Sequence, residues 1–339
     1  MRTKVLITNW VHPEVIDYLA ERCEVIANRN REEPLSRKQI VEKGQDAFGI
    51  VAFMPDRVDD DLLQELPGLR IVAGALKGYD NFDVEACTRR GVWLTIVPDL
   101  LTVPTAELTI GLMIGLARKI LEGDRYIRSE RFLGWRPMLY GTGLAGSTVG
   151  IVGMGAVGQA VAARLKGFDA DLLYVDADPL PEADERRLGL RRARFDQLLQ
   201  ASDYVVLALP LSAGSVDLID ARALARMKRG SHLINPARGS LVDEEAVADA
   251  LAAGQLAGYA ADVFEMEDWA RPDRRRRIPG RLLLTPERTL LTPHLGSAVD
   301  DIRRQIAMEA AKNVVQALDG ERPQGAINEV SAPRRSAVS

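Results

Sequence analysis

Short apolar runs alternate with segments of helical period along most of the chain. That alternation predicts a parallel sheet flanked by helices. In the first third, residues 5–7, 49–53, 69–73 and 92–95 are expected strands, and 12–22 a helix with Pro13 in its first turn. Strands this short and apolar on both faces belong in a sheet that helices cover. Pro98 and Pro104 interrupt the pattern. One long helix is then predicted from Thr105 to about Arg128, crossing into a second domain. Residues 131–143 have no periodicity and carry Trp135, Pro137 and Tyr140. Beyond them, strands are expected at 147–152, 172–175, 204–209, 231–235, 256–263 and 289–292. Helices are expected at 156–167, 195–201, 218–227, 243–253 and 300–318, with Asp243 as an N-cap. The resulting domain division is 1–98 with 299–330 as one discontinuous domain and 99–298 as the other. Residues 331–339 are expected to be a disordered tail.

Composition narrows the function classes. A chain of 339 residues has room for two domains. A net charge of −4 and only 5% aromatic residues disfavour a nucleic-acid partner, which calls for basic stripes or stacking platforms. Two cysteines, Cys23 and Cys87, make neither a disulfide framework nor a cysteine-rich metal site, and no metal is expected. The N-terminus lacks the apolar core of a signal peptide, and no apolar run reaches 18 residues. A cytoplasmic protein without a membrane partner is expected.

The strongest local motif is Gly153-Met-Gly155-Ala156-Val157-Gly158, which follows a predicted strand and opens a predicted helix. Glycines in this setting permit a tight turn and close approach of backbone to a pyrophosphate, and the helix N-terminus offers free N–H groups to it. Asp176 stands 18 residues beyond Gly158 at the end of the next strand, where a carboxylate accepts hydrogen bonds from an adenosine ribose. It would repel a 2′-phosphate, and the adjoining Ala177-Asp178 offers no arginine to offset this. NAD is therefore expected over NADP.

Three further residues stand out by type. The chain has only three histidines, and His294 alone lies in a loop between the last strand of one domain and the helix leaving it. A histidine there is placed to exchange a proton with a bound substrate. Arg238 follows a predicted strand, where a guanidinium can clamp a small oxyanion. Glu267 follows another, and a carboxylate beside a histidine orients the ring.

Taken together, Asn235-Pro-Ala-Arg238-Gly, Asp262-Val-Phe-Glu-Met-Glu267, Thr292-Pro-His294 and the glycine fingerprint resemble the D-2-hydroxyacid dehydrogenase family over about residues 1–325. The resemblance implies two doubly wound Rossmann-like α/β domains with parallel sheets and an active site in the cleft between them. It implies Arg238, Glu267 and His294 as the catalytic set. It places Thr105, Pro210, Ala237 and Asp262 with the glycine motif and Asp176 at the cofactor. A homodimer is also implied.

Within the family, long stretches around Phe53-Met54-Pro, Ala75-Leu-Lys77-Gly78 and Tyr259 to Trp269 are most similar to phosphite (phosphonate) dehydrogenases. Lys77 carries that likeness, because a second cation suits a doubly charged oxyanion. The narrower expectation is oxidation of phosphite to phosphate with hydride passing to NAD⁺. Lys77, Gly78 and Arg238 would bind phosphite, and Met54, Trp135, Tyr140, Ser297 and Arg303 would line or support its site. Trp135 and Tyr140 would reach toward the partner subunit. The alternatives are an NAD-dependent 2-keto acid reductase on the same residues and a non-catalytic NADH-sensing binding protein. Between Arg271 and Arg281 lie six arginines, four of them consecutive. They are expected to form a solvated loop or to steer an anionic substrate.

Overall fold

The computed structural model describes residues 2–330; the expected disordered tail lies outside them. The chain divides into two units. The first comprises residues 2–101, 269–272 and 298–330, and the second 102–268 and 273–297.

The first unit holds five strands: β1 (Lys4–Ile7), β2 (Glu24–Ala27), β3 (Ala47–Ala52), β4 (Ile71–Gly74) and β5 (Trp93–Thr95). All pair in parallel, in the order β2-β1-β3-β4-β5. Order reverses between β1 and β3, the point where doubly wound sheets place ligands. Of the connecting helices, Pro13–Ala20 was expected and has no side-chain cap; three others were not legible as apolar periods because they are short, but each of those has a cap. Ser36, Asp59 and Asp83 accept backbone N–H bonds at the starts of Arg37–Gly44, Asp60–Glu65 and Val84–Arg89. Strand β2 escaped prediction for another reason: as an edge strand it is half-exposed and begins with a charge. Helix Asp300–Leu318 packs its Ile306, Ala310 and Val314 face into the core with Val5, Val51 and Ile71.

The second unit holds seven: β6 (Thr148–Val152), β7 (Asp171–Val175), β8 (Leu190–Arg192), β9 (Tyr204–Leu207), β10 (Ser231–Asn235), β11 (Leu256–Ala261) and β12 (Thr289–Leu291). Their order is β12-β11-β10-β9-β6-β7-β8, all parallel. Counted from β6 this is the 3-2-1-4-5-6 Rossmann order with one strand added. Two apolar layers cover its faces, one built on residues such as Val205, Leu233 and Leu251, the other on Ile151, Val206 and Met113. Both units are therefore doubly wound α/β folds with parallel sheets, as expected.

The single helix expected from Thr105 to Arg128 is two. Thr102–Ala117 buries nine of its residues, then Lys119 turns left-handed at φ 52°, and Ile120–Arg128 buries none. The break has a visible cause. Thr142 N–H donates to the Ala117 carbonyl at 3.0 Å, and Gly141 lies so close that a Cβ there would stand 2.0 Å from that oxygen. The returning chain occupies the space the next helical turn would need. No helix among the described residues is long and apolar enough to cross a membrane.

Candidate active site

The glycine turn has the shape its sequence predicts. Gly153 sits at φ +94°, and a Cβ there would lie 2.5 Å from the Ala208 carbonyl oxygen. A Cβ at Gly158 would lie 2.3 Å from the Gly153 oxygen, so the helix Ala156–Leu165 can close onto the turn only without one. Gly155 has nothing within 4 Å of its Cβ position, and no side chain caps the helix it precedes. Gly155 and Ala156 are exposed and Val157 is half-buried. An open approach to uncapped N–H groups is what a dinucleotide pyrophosphate requires, so these residues fit that cofactor. The Asp176 carboxylate accepts from Met154 N–H at 2.5 Å and from Asp178 N–H at 3.1 Å. It is thereby fixed beside the turn, with acceptor capacity left for a sugar hydroxyl. Ala177-Asp178 carries no arginine, but Arg192, from the neighbouring β8, donates to the Asp176 carbonyl at 3.4 Å.

Three loops at the ends of β10, β11 and β12 carry the catalytic candidates. After β10, the Asn235 side chain accepts from Ala237 N–H at 3.1 Å and donates to the Arg238 carbonyl at 2.8 Å, folding the Arg238 loop on itself. Gly239 then meets the chain after β11. A Cβ there would stand 1.8 Å from the Phe264 carbonyl carbon, so only glycine allows the approach. Ser240 N–H donates to Asp268 Oδ2 at 2.7 Å, tying the same two loops together.

The third loop, after β12, is organised by Asp262. One carboxylate oxygen accepts from Thr292 Oγ1 at 2.6 Å and Leu295 N–H at 2.7 Å, and the other from Gly296 N–H at 2.8 Å. The Asp262 carbonyl accepts from His294 N–H at 2.8 Å. Burial raises the Asp262 pKa, and these hydrogen bonds oppose the rise. Asp262, which the resemblance places at the cofactor, also anchors the His294 loop. Thr105 also borders this loop, 3.2 Å from the Cβ position of Gly296.

The outcome is a close pair. His294 Nδ1 lies 2.7 Å from Glu267 Oε2, with both side chains about 30% exposed. Glu267 Oε1 accepts from Phe264 N–H at 2.8 Å, which fixes the carboxylate from behind. His294 holds a left-handed backbone at φ 56°, uncommon outside glycine, stabilised by the Asp262 clamp. With Nδ1 bonded to Glu267, Nε2 is left for a substrate proton. Sequence reasoning singled out Arg238, Glu267 and His294, of which the structure pairs the last two. It gave no role to Asn235, Gly239 and Thr292, which stand inside the motifs it quoted, or to Asp268, next to one of them.

The remaining candidates are distributed more widely. Pro210 lies after β9, its carbonyl accepting from Ser215 Oγ at 3.1 Å. Ser297 is half-buried just past the His294 loop. Trp135 and Tyr140 are 78% and 74% exposed in the second unit. In the first unit, Met54 and half-buried Lys77 and Gly78 follow adjacent β3 and β4. Asn81 Nδ2 donates to the Met54 carbonyl at 3.1 Å. Buried Asp56 holds the Met54 loop from beneath, accepting from Phe53 N–H at 2.7 Å and Thr8 Oγ1 at 2.5 Å. Burial raises the Asp56 pKa to about 6. Arg303 lies 5.8 Å from the Phe53 ring, beside a 260 Å³ cavity it lines with Trp10, His12 and Asp300. Its pKa is lowered by burial.

The arginine run is a solvated loop only in part. Arg274 is buried and donates to the Met266 carbonyl at 3.1 Å. Arg275 pairs with Glu265, Asp243 and Glu245 at 3.1, 3.1 and 3.3 Å. Arg281 pairs with Glu245 at 2.8 Å and Asp249 at 2.5 Å. Arg274 is withdrawn from solvent, Arg275 and Arg281 pair with carboxylates while partly or largely exposed, and Arg276 and Arg277 are exposed.

A Rossmann sheet, an open glycine turn with its strand-end aspartate, and a carboxylate-paired histidine define a nicotinamide-dinucleotide-dependent oxidoreductase. A family profile described as the D-isomer specific 2-hydroxyacid dehydrogenase, NAD binding domain, matches residues 110–296. The chain belongs to that family. It is 36% identical to the glyoxylate reductase of Pyrococcus furiosus, across 97% of this chain and 96% of that one. It is 38% identical to the glyoxylate reductase of Thermococcus gammatolerans, with the same coverage. Among solved structures, the NADPH-dependent glyoxylate/hydroxypyruvate reductase of Sinorhizobium meliloti, in complex with NADP and malonate, superposes with a TM-score of 0.83. It is 28% identical, with 99% of each chain covered.

These findings correct the narrower expectation. The full-length relatives are glyoxylate reductases, so phosphite is withdrawn as the substrate and partner, and phosphite oxidation as the reaction. Lys77 does not require phosphite physically, since a lysine ammonium is a point charge that pairs with a carboxylate equally well.

Proposed function

We propose that the protein reduces a small 2-oxo acid of the glyoxylate class to the corresponding 2-hydroxy acid, reversibly. The observation that carries this is the 2.7 Å His294–Glu267 pair held beside the Arg238 loop. The dinucleotide, held by the 153–158 turn and Asp176, supplies or accepts the hydride when bound. Arg238 binds the substrate carboxylate through its planar fork. His294 Nε2 donates a proton to the carbonyl oxygen during reduction and removes it in the reverse direction. Glu267 holds the ring in the tautomer with Nδ1–H and stabilises the imidazolium.

NAD is the preferred cofactor in this reading, because the Asp176 carboxylate repels a 2′-phosphate. Arg192 moderates that repulsion without removing it. The exposed apolar side chains of the helix Ile120–Arg128 and the loop after it support a second copy of the chain as partner.

The test is NADH consumption with glyoxylate, hydroxypyruvate or pyruvate. Turnover that His294→Asn abolishes is the expected result. No consumption with any of the three, or near-parental kcat in His294→Asn, overturns the proposal. A kcat/KM for NADH at least about tenfold above that for NADPH is expected, a factor equal to about 1.4 kcal/mol. Equal efficiencies overturn the cofactor preference.

A further inference from the structure

The arginine run lies between the two catalytic candidates in sequence, and one of its members grips the turn that carries the first. We infer that Arg275 is a positioning residue for the Glu267–His294 pair, acting through the 265–267 turn. This rests on the proposed roles of Glu267 and His294.

Three observations support it. The turn Glu265–Glu267 is a single 3₁₀ turn, too short to hold its own shape. It is gripped at Glu265, two residues before Glu267. Glu265 Oε1 accepts from Arg275 N–H at 3.1 Å, and Oε2 faces Arg275 Nε at 3.1 Å. The Glu265 side chain is 7% exposed and that of Arg275 39%, so the carboxylate end of the pair is sheltered from solvent while the guanidinium is half-buried.

The other end of the guanidinium is anchored as well. Its two terminal nitrogens reach Asp243 at 3.1 Å and Glu245 at 3.3 Å, at the start of the helix Glu244–Ala252. Asp243 caps that helix by accepting from Glu245 and Ala246 N–H. Arg275 thus bridges a capped helix start to the catalytic turn through all three nitrogens of one planar group. A second tie runs parallel to it. Buried Glu244 accepts from Glu265 N–H at 2.9 Å, so the turn is held through both its backbone and its side chain. Glu267 then has one carboxylate oxygen fixed by Phe264 N–H and the other directed at His294. Releasing Glu265 frees the turn and lets that second oxygen drift. Lysine cannot replace the bridge, because one ammonium has no planar fork to span three carboxylates.

The test uses full-length protein labelled with ¹⁵N-histidine and needs no substrate. A 2.7 Å Nδ1–H···carboxylate bond gives a downfield, exchange-protected imidazole proton, assigned by its loss in His294→Asn and Glu267→Gln. In folded Arg275→Gln this resonance is expected to broaden beyond detection or to exchange at least about tenfold faster. Arg275→Lys is expected to show an intermediate loss, and it serves alone if Arg275→Gln does not fold. An unchanged resonance in a folded variant, with a parental melting profile or a lowered one, overturns the inference. In parallel, kcat for 2-oxo acid reduction should fall about tenfold in Arg275→Gln while KM for the cofactor stays parental. If parental protein reduces no 2-oxo acid, the functional proposal fails and the resonance still decides the positioning role.

Discussion

Two parts of the second unit are built on opposite plans. The loops after β10, β11 and β12 close on one another: Asn235, Asp262, Asp268 and Glu265 engage the backbone N–H groups around Arg238, Glu267 and His294. The segment from Ile120 to Tyr140 leaves its apolar surface open. Its helix buries none of its residues, and Leu133, Trp135 and Tyr140 are 82%, 78% and 74% exposed. The first region uses polar groups to fix side chains that must act at angstrom precision. The second withholds apolar ones from the fold, which is the ground for proposing it as a surface for a second copy.

The contrast is broken most severely at Gly239. Gly239→Ala would set a methyl carbon 1.8 Å from the Phe264 carbonyl carbon, and the atoms it meets are backbone. Loss of several kcal/mol, on the order of 3 or more, is expected in a chemical denaturation series, together with loss of activity. A parental midpoint would show that the loops do not need this approach. Glu267→Gln keeps the shape but not the charge, and should lower kcat by about 10²-fold with intact folding. Steady-state rates measured beside circular dichroism decide this, and an effect under about threefold would separate Glu267 from catalysis.

Beneath the same loops, buried Glu244 sharpens the comparison through pH. Burial raises its pKa from 4.5 to about 7. The folded state then holds a proton that the unfolded chain releases, so this group costs stability as pH rises from about 4.5 through 7. Glu244→Gln should therefore stabilise the protein by on the order of 1–3 kcal/mol at about pH 8 and by less than about 1 kcal/mol at about pH 5. A pH-independent difference in denaturation midpoint would rule out this titration. His232 works with the opposite sign. Burial lowers its pKa to about 4, so its stabilising neutral form is lost as pH falls from 6.5 to 4. The smallest stability effect belongs to the open segment. Leu133→Asp with Trp135→Asp should change the melting transition of the separated chain by no more than about 0.5 kcal/mol. The mass by light scattering should drop from dimer to monomer; an unchanged mass would exclude this surface as the contact.

Much of this was legible in one dimension. The glycine turn, Asp176, most strands of both sheets and the helix Asp300–Leu318 follow from period and spacing, because each is decided by neighbours within a few residues. Arg238, Glu267 and His294 were visible as chemically apt residues after strands. The break at Lys119 was not visible, since a chain returning at Gly141 and Thr142 imposes it. Nor was the arginine run, whose charges read as solvated until Asp243, Glu245 and Glu265 were brought to it. The likeness to phosphite dehydrogenases rested on several stretches of sequence and most of all on Lys77, and a lone cation does not specify which anion it meets.

The sequence alone determined parallel sheets covered by helices and the place of the dinucleotide turn, because hydrophobic period and local turn chemistry act over short chain distances; the doubly wound order and the catalytic set came with the resemblance to the family. The tertiary structure decided which carboxylate holds which loop. Ser240 meets Asp268 across 28 residues and Asp262 meets Gly296 across 34. Hydrogen bonds at such separations leave no periodic trace, and form only where packed strands bring their ends side by side.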